Sequence, residues 1–147
     1  MFALRKSLVQ VVGNVGIKTF GIKTMLSNSA SKNVIDVMFV ETNKIKNLPA
    51  KGVENENLLD VLVNNKLEPE FPGFGACEGT LTCSTCHVYF AQEDFEKIKA
   101  KPTDEELDMI ELAFEPCETS RLACQVPLTK EIAGAKVYVP YGVKDVR

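Results

Sequence analysis

The sequence predicts an α+β domain in which one helix packs across a mixed β-sheet, and three patterns support this. Apolar and polar residues alternate along 34–41 (VIDVMFVE), as in a half-buried strand, and 44–51 (KIKNLPAK) can form its antiparallel neighbour. Apolar residues in 58–63 recur at helical spacing and can cover one face of the sheet. Further short strands are expected at 87–90, 124–128 and 136–140.

Helix-capping residues and prolines predict where these elements begin and end. Asn57 or Glu56 predicts the start of the first helix, because both can satisfy backbone N–H groups of a first turn. Pro69 and Pro72 then end regular structure and introduce the glycine-bearing loop 73–87 (GFGACEGTLTCSTCH). The 147 residues, 45% of them hydrophobic, suffice for one domain with one modest core.

A second helix is predicted to begin after Pro102. Thr103 and Glu106 have the spacing of a capping box, in which each side chain binds a backbone N–H of the first turn. Ile110, with Leu107 and Phe114, is expected to form the face that packs on the domain.

The opposite face of this helix is acidic. Same-charge pairs four residues apart destabilise an isolated helix by about 0.2–0.5 kcal/mol each, so stability alone does not explain them. They form either an ordinary solvated face or a docking surface for basic residues of a partner. The acidic residues, including those of the first turn, are Asp104, Glu105, Asp108, Glu111 and Glu115.

Residues 1–32 differ in composition from the remainder. They contain five Lys or Arg residues, no acidic residue occurs before Asp36, and 27–31 is rich in serine. This composition is typical of a mitochondrial transit peptide, with a disordered tail as the alternative. We therefore expect a leader at 1–32, one domain at 33–147, and a location in the mitochondrial matrix.

The expected domain is strongly acidic. From Asn33 onward it has 12 Lys and Arg against 20 Asp and Glu, a formal net charge of −8. This balance argues against nucleic-acid binding and favours a basic protein partner. No segment approaches the roughly 20 apolar residues that span a bilayer, so a soluble protein is expected. The sequence has no G-x-G-x-x-G loop and no convincing acid/base pair, which favours a carrier over an enzyme.

Four cysteines carry the strongest chemical signal. Cys77, Cys83 and Cys86 lie in the loop 73–87, and Cys124 follows 38 positions after the third. A C-x5-C-x2-C run with one remote cysteine is typical of a 2Fe-2S site, because each iron needs two thiolates. Glycines that tolerate positive φ let the loop backbone approach the cluster sulfurs; they are Gly73, Gly75 and Gly79.

Other uses of these cysteines compete with this interpretation. The string 83–87 matches the C-x-x-C-H haem-attachment motif, but Cys77 and Cys124 would then be idle. Four thiolates also suit structural zinc, which would make the chain a redox-inactive adaptor, although zinc sites usually present two C-x-x-C pairs. A redox dithiol would precede a helix, whereas a strand is expected after Cys86. Disulfides are disfavoured by the odd count of five, and Cys117 is interpreted as a free thiol.

The loop 73–87, the segment TDEELDMIELA from Thr103 and SRLACQ around Cys124 resemble the adrenodoxin-type ferredoxins of mitochondria and some bacteria. The likeness runs from about Val34 to Pro140. The C-x5-C-x2-C spacing separates this family from plant-type ferredoxins, which place one residue fewer between the first two ligands. The resemblance implies the β-grasp (ubiquitin-like) 2Fe-2S ferredoxin fold with a cluster-binding loop.

The resemblance also implies residue roles. His87 matches a histidine that hydrogen-bonds the cluster loop to the rest of the domain. The acidic helix is the partner-binding surface of the family; Asp108 matches a principal docking acid, and Glu111 stands where aspartate is usual. The implied cluster ligands are Cys77, Cys83, Cys86 and Cys124.

The implied activity is one-electron transfer by a monomer that an NADPH-dependent ferredoxin reductase reduces. Relatives supply electrons either to mitochondrial iron-sulfur cluster assembly or to mitochondrial haem-thiolate (cytochrome) monooxygenases. We expect cluster assembly, because it is the general role of the family and requires no specialised monooxygenase.

Overall fold

The computed structural model describes residues 33–142, so the predicted leader 1–32 and the segment 143–147 lie outside the described residues. The described chain contains a five-stranded sheet made of β1 (Val34–Glu41), β2 (Lys46–Val53), β3 (His87–Phe90), β4 (Ser120–Leu122) and β5 (Lys136–Val139). Three α-helices accompany it: α1 (Leu58–Asn64), α2 (Gln92–Phe95) and α3 (Asp104–Glu111). Single turns of 3-10 helix occur at Glu68–Glu70, Ala123–Gln125 and Lys130–Ile132.

The sheet is mixed, as predicted. Its strand order is β2-β1-β5-β3-β4, with β1 parallel to β5 and the other neighbouring pairs antiparallel. The predicted hairpin is present, with a register that runs from Val34 opposite Val53 to Glu41 opposite Lys46, but β2 begins two residues later than predicted because residues 42–45 form the turn. Pro49 lies in β2 at the sheet edge, where a missing N–H removes no essential ladder bond.

Helix α1 crosses the sheet in the predicted position. Asn57 caps it, because its side-chain oxygen accepts the Asp60 N–H at 2.8 Å. The helix lies very close to β2, since a Cβ at Gly52 would come within 2.5 Å of Val61 Cγ2. Four apolar residues of α1 are buried, namely Leu58, Leu59, Val61 and Leu62. No helix within 33–142 is long and apolar enough to cross a membrane.

The strand predicted at 124–128 is wrong. The strand in this region is β4, and Cys124 follows it in a turn of 3-10 helix. Pro127 has no N–H to donate and makes only an isolated bridge with Asn57. The apolar pattern instead reflects burial against α1, where Val126 C=O accepts the Leu58 N–H at 3.0 Å.

Helix α3 is shorter than predicted and turned differently. It ends at Glu111, and Glu115 beyond it has a φ of 48°, so the helical spacing does not extend that far. Leu107 and Phe114 are 45% and 37% exposed and do not form the packed face that was expected. The face toward the domain contains Glu106, Ile110 and Ala113, because a buried ion pair described below draws Glu106 inward.

Candidate metal centre

The loop 73–87 turns tightly around three of its thiols. Gly73, Gly75 and Gly79 all adopt positive φ, of 84°, 73° and 84°. Gly75 also permits a close approach, because a Cβ there would lie 2.4 Å from Leu59 Cδ1 of α1. Small residues therefore let the loop fold onto the helix. Cys83 and Cys86 are buried, and Cys77 is half-buried.

The four thiols come together as two pairs. Cys86 Sγ donates to Cys124 Sγ at 3.5 Å, and the thiol of Cys77 hydrogen-bonds that of Cys83. Two thiolates on one tetrahedral metal with bonds of about 2.3 Å lie about 3.8 Å apart, so the first pair already has a suitable spacing. Within 33–142, no three His, Cys, Asp or Glu residues are grouped so that they could hold one metal ion. The arrangement fits two metal ions with two thiolates each.

Short polar side chains surround these sulfurs. Thr85 Oγ1 lies 3.0 Å from Cys83 Sγ and also accepts the Ala76 N–H at 2.9 Å. Gln125 Nε2 donates to Cys124 Sγ at 3.4 Å. Hydrogen bonds of this kind orient metal-binding thiolates and adjust the reduction potential of a cluster.

The thiols differ in acidity because of these contacts. Burial raises the pKa of Cys77, but hydrogen bonds from Cys83 and the loop outweigh it and lower the pKa to about 6. The hydrogen bond from Cys86 lowers the pKa of Cys124 to about 7. The same bond, with burial, raises the pKa of the donor Cys86. Cys77 and Cys124, one thiol of each pair, therefore deprotonate more readily than an ordinary thiol.

The strand pair β3–β4 connects the remote cysteine to the loop. Ala123 N–H donates to Cys86 C=O at 2.9 Å, which places Cys124 beside Cys86. His87 Nε2 lies 2.7 Å from Ser120 Oγ of β4, which connects the end of the cluster loop to that strand. Burial lowers the pKa of His87 to about 4, so the ring is neutral near pH 7. Its Nδ1 has no partner at hydrogen-bonding geometry, although the Phe114 backbone lies near enough to raise the pKa slightly.

A buried ion pair ties α3 to the strand before Cys124. Arg121 Nε and Nη2 donate to the two carboxylate oxygens of Glu106 at 2.8 and 3.0 Å, and both residues are almost fully buried. Glu106 also accepts the Leu122 N–H at 3.0 Å, and Arg121 donates to Ala100 C=O at 2.6 Å. Glu106 was predicted as a capping residue; Thr103 does cap the helix, but the Glu106 side chain points to Arg121 instead. The sequence did contain a signal for this contact: Glu106 lies four residues before Ile110, on the same side of α3 as that buried residue.

The five acidic residues predicted for docking, unlike Glu106, are all exposed. They are Asp104, Glu105, Asp108, Glu111 and Glu115, with the last beyond the helix end. We call this set the acidic surface. Lys97 and Lys99, just before it, are paired with Asp94 and Glu131, so they neutralise other carboxylates. Leu107 and Leu112 are exposed among these acids, which makes the surface both charged and apolar.

Cys117 lies apart from the four thiols. It is exposed, and its N–H donates to Ser120 Oγ at 2.8 Å. Partial burial raises the pKa of its thiol, but hydrogen bonds from Ser120 and Thr119 outweigh that effect and lower it. Its position agrees with the interpretation of a free thiol.

Comparisons with known proteins show close relatives. The chain is 50% identical over 117 residues to adrenodoxin-like protein 2, mitochondrial, of Drosophila melanogaster, which covers 80% of this chain and 75% of the relative. It is 45% identical over 135 residues to mitochondrial adrenodoxin of Gallus gallus, covering 90% and 92% of the two chains. No family model matches the chain.

A solved structure supports the same assignment. The chain superposes with a TM-score of 0.60 and 29% identity on a chain of the covalent putidaredoxin reductase–putidaredoxin complex, covering 71% of this chain and 96% of that one. The mixed sheet, its crossing helix and the cysteine-bearing loop therefore form the β-grasp fold of 2Fe-2S ferredoxins. The chain belongs to the adrenodoxin-type ferredoxins, electron carriers that use a 2Fe-2S cluster.

Proposed function

We propose that Cys77, Cys83, Cys86 and Cys124 hold the 2Fe-2S cluster, and that the chain carries single electrons from an NADPH-dependent flavin reductase to mitochondrial iron-sulfur cluster assembly. The observation that carries this proposal is the grouping of four thiols into two pairs, Cys77 with Cys83 and Cys86 with Cys124. Each pair supplies the two thiolates that one iron of the cluster needs.

The pairing disfavours the zinc alternative. A structural zinc ion takes all four thiolates at one tetrahedral centre. In residues 33–142 the four thiols instead lie as two pairs, and each pair would hold one iron of a 2Fe-2S cluster. When bound, a 2Fe-2S cluster supplies reversible one-electron transfer, and its formal charge changes from −2 to −3. The exposed carboxylates of the chain disfavour the added negative charge and so lower the potential.

The acidic surface is the proposed docking site for the reductase. Its five carboxylates are exposed, and the domain carries a net charge of −8 from Asn33 onward. Such a field accelerates encounter with a basic partner and weakens as salt screens it. Putidaredoxin, with 29% identity, forms a complex with its own reductase. The Glu106–Arg121 pair would hold the docking helix in a defined position relative to the strand that delivers Cys124.

The proposed acceptor is the machinery that assembles iron-sulfur clusters in the mitochondrial matrix. The relatives from Drosophila melanogaster and Gallus gallus carry mitochondrial names, which supports a mitochondrial location. The basic, acid-free composition of 1–32 supports import into the matrix. Cluster assembly needs a low-potential one-electron donor, and an acidic 2Fe-2S carrier meets this requirement.

The cofactor is tested by the visible absorption spectrum of the anaerobically purified protein, oxidised and after dithionite, with iron and acid-labile sulfide measured on the same sample. Broad charge-transfer bands that bleach on reduction, with about two irons and two sulfides per chain, are expected. A colourless protein with one zinc would overturn the proposal and leave a structural adaptor. A sharp Soret band would instead indicate haem.

The electron route is tested by mixing the holo-protein with NADPH and a mitochondrial ferredoxin reductase, and then with each acceptor. Reduction of the cluster should depend on the reductase and slow at high salt. The reduced protein should then support 2Fe-2S formation on a scaffold protein. Support of substrate hydroxylation by a haem-thiolate monooxygenase, without scaffold loading, would contradict the proposed acceptor.

A further inference from the structure

A cavity of about 330 Å³ lies at the end of the sheet, next to the cluster loop. Its volume falls in the range of about 300–1,000 Å³ that is usual for ligand pockets. Much of its wall is aromatic or proline, including Phe71, Pro72, Phe74, Pro140 and Tyr141. The cavity is separate from the thiols and from the acidic surface, and nothing described above uses it.

One wall of the cavity contains a buried carboxylate. Glu41, the last residue of β1, is only 5% exposed. Its Oε1 binds Lys44 Nζ at 3.1 Å, but its Oε2 is buried without a hydrogen-bond partner. A buried carboxylate oxygen without a donor is unfavourable, because it has lost its hydration and gained nothing in return. Glu41 Oε2 therefore lacks a hydrogen-bond donor, and a positively charged donor would bind it most strongly.

Lys44 is the movable part of this wall. Its side chain is 62% exposed, and it also lines the cavity. An ion pair with one member this exposed contributes little, so an incoming cation can displace Lys44 at small expense. A guanidinium suits the site better than an ammonium, because it stacks on aromatic faces and presents two parallel N–H donors to one carboxylate.

The cavity adjoins a second groove that the acidic surface lines in part. Pro140 and Tyr141 also line a neighbouring groove of about 420 Å³, whose other walls include Phe114 and Glu115. Glu115 belongs to the acidic surface, and Tyr141 is 65% exposed between the two depressions. A basic protein that covers α3 would thus meet this groove and then the cavity.

We propose that the cavity beside Glu41 receives an arginine side chain of the basic redox partner, which displaces Lys44 and binds the Glu41 carboxylate. This inference rests on the proposed docking of a basic partner at the acidic surface. It adds an anchor in a buried pocket to a surface of exposed charges, and buried anchors of this kind dominate interface energetics.

The test uses N-acetyl-arginine amide as the probe and the isosteric but uncharged N-acetyl-citrulline amide as its control. Backbone amide signals of Val139, Tyr141 and Gly142 are followed by NMR in the ¹⁵N-labelled holo-protein during titration. The arginine probe should produce saturable shifts at these residues, and the citrulline probe should bind at least ~10-fold more weakly.

Three variants sharpen the result. Glu41→Gln keeps the shape of the side chain and should weaken arginine binding by at least ~10-fold. Lys44→Ala should strengthen it several-fold, because the competing ammonium is gone. Asp36→Asn removes an exposed carboxylate from the same strand and should change nothing. Equal binding by wild type and Glu41→Gln, or absence of saturable shifts in wild type and Lys44→Ala, would overturn the proposal.

The sequence after Gly142 contains two cations, Lys144 and Arg147, which are the rival occupants. A double Lys144→Ala, Arg147→Ala variant tests them. If it alone binds the probe, the chain's own tail fills the cavity and the partner assignment is wrong. If it binds like wild type, the cavity is open to a partner.

The probe titration requires no reductase, so it separates this inference from the proposed function. Wild-type protein that binds the probe but accepts no electrons would contradict the proposed function alone. The partner step is then measured as reductase-dependent cluster reduction, where Glu41→Gln should raise KM several-fold and leave the reduction potential and kcat unchanged. An unchanged KM in an otherwise active system would contradict the anchor alone.

Discussion

The polar residues of the cluster loop are buried, whereas those of the acidic surface are exposed to solvent. In the loop, Ser84 and Thr85 lie with Cys83 and Cys86 in the interior, where Thr85 Oγ1 lies 3.0 Å from Cys83 Sγ and Cys86 Sγ lies 3.5 Å from Cys124 Sγ. On α3, Asp104 and Asp108 are exposed to solvent. The loop is therefore expected to be sensitive to single atoms, and the surface to total charge.

Stability and recognition therefore depend on different parts of the molecule. The buried Glu106–Arg121 pair belongs to the same helix as the acidic surface but behaves as part of the interior. Opposite sides of α3 thus carry a carboxylate that stabilises the domain and carboxylates that are exposed to a partner.

Replacement of a cluster thiol should have an all-or-none effect. Cys86→Ser is expected to abolish the visible absorption of the cluster and to remove most bound iron and sulfide, because one iron loses a buried thiolate. Cys117→Ser is the matched control, since this thiol is exposed and outside both pairs. Loss of the cluster spectrum in Cys117→Ser would contradict the ligand assignment.

Glu106→Gln should destabilise the protein by about 3–5 kcal/mol, because it leaves the buried Arg121 guanidinium without a counter-charge. The free energy of unfolding is measured in urea for the holo-protein. Glu105→Gln, one residue away but exposed, should change it by less than about 0.5 kcal/mol. Similar values for the two variants would show that Glu106 acts as an ordinary surface acid.

Gly75→Ala should lower the free energy of unfolding by about 2–4 kcal/mol, since a left-handed backbone and a contact with Leu59 both oppose the new methyl group. Gly134→Ala separates these causes. It has a φ of 76° and open space around the added Cβ, so only the backbone effect of about 1–2 kcal/mol applies. Equal losses of unfolding free energy in the two variants would mean that the Leu59 side chain moves aside without cost.

Asp108→Asn should leave stability within about 0.5 kcal/mol of wild type, because its carboxylate is exposed. Its effect is expected in kcat/KM for reduction by the reductase, which should fall by about 5–10-fold at low salt and converge with wild type at high salt. Asp36→Asn, on β1 across the sheet from α3, is the control of equal charge. A salt-independent loss would point to a structural role for Asp108 instead.

Elements that depend on interactions between residues close in the sequence were predicted correctly, whereas those that depend on distant contacts were not. The hairpin and α1 were correct because alternation along 34–41 and the cap at Asn57 are local signals. The end of α3 was missed, because apolar and acidic residues continue at helical spacing beyond Glu111 while the backbone turns away. The strand predicted at 124–128 was wrong, because burial of Val126 without strand pairing produces the same apolar pattern as a strand.

The candidate site was partly predictable for the same reason. The cysteine spacing predicted the four ligand thiols, which the structure brings together in two pairs, and helical periodicity predicted an acidic face that the structure leaves exposed. Glu106 was predicted to take part in the helix cap because a capping box has glutamate at this position. The buried ion pair uses the same glutamate, so the sequence pattern does not distinguish the two roles. Arg121 anchors the segment before Cys124 through Glu106 of α3, a contact over 15 residues that no local pattern indicates.

The sequence by itself determined which residues could do the chemistry. Three thiols within ten residues, among glycines, can reach one centre through short-range backbone geometry alone. Only the tertiary structure decided that Cys124 pairs with Cys86 and that Arg121 neutralises Glu106. Contacts over 38 and 15 residues close only when β4 pairs with β3, where Leu122 lies opposite His87. That register depends on burial summed over the whole sheet, which no local pattern contains.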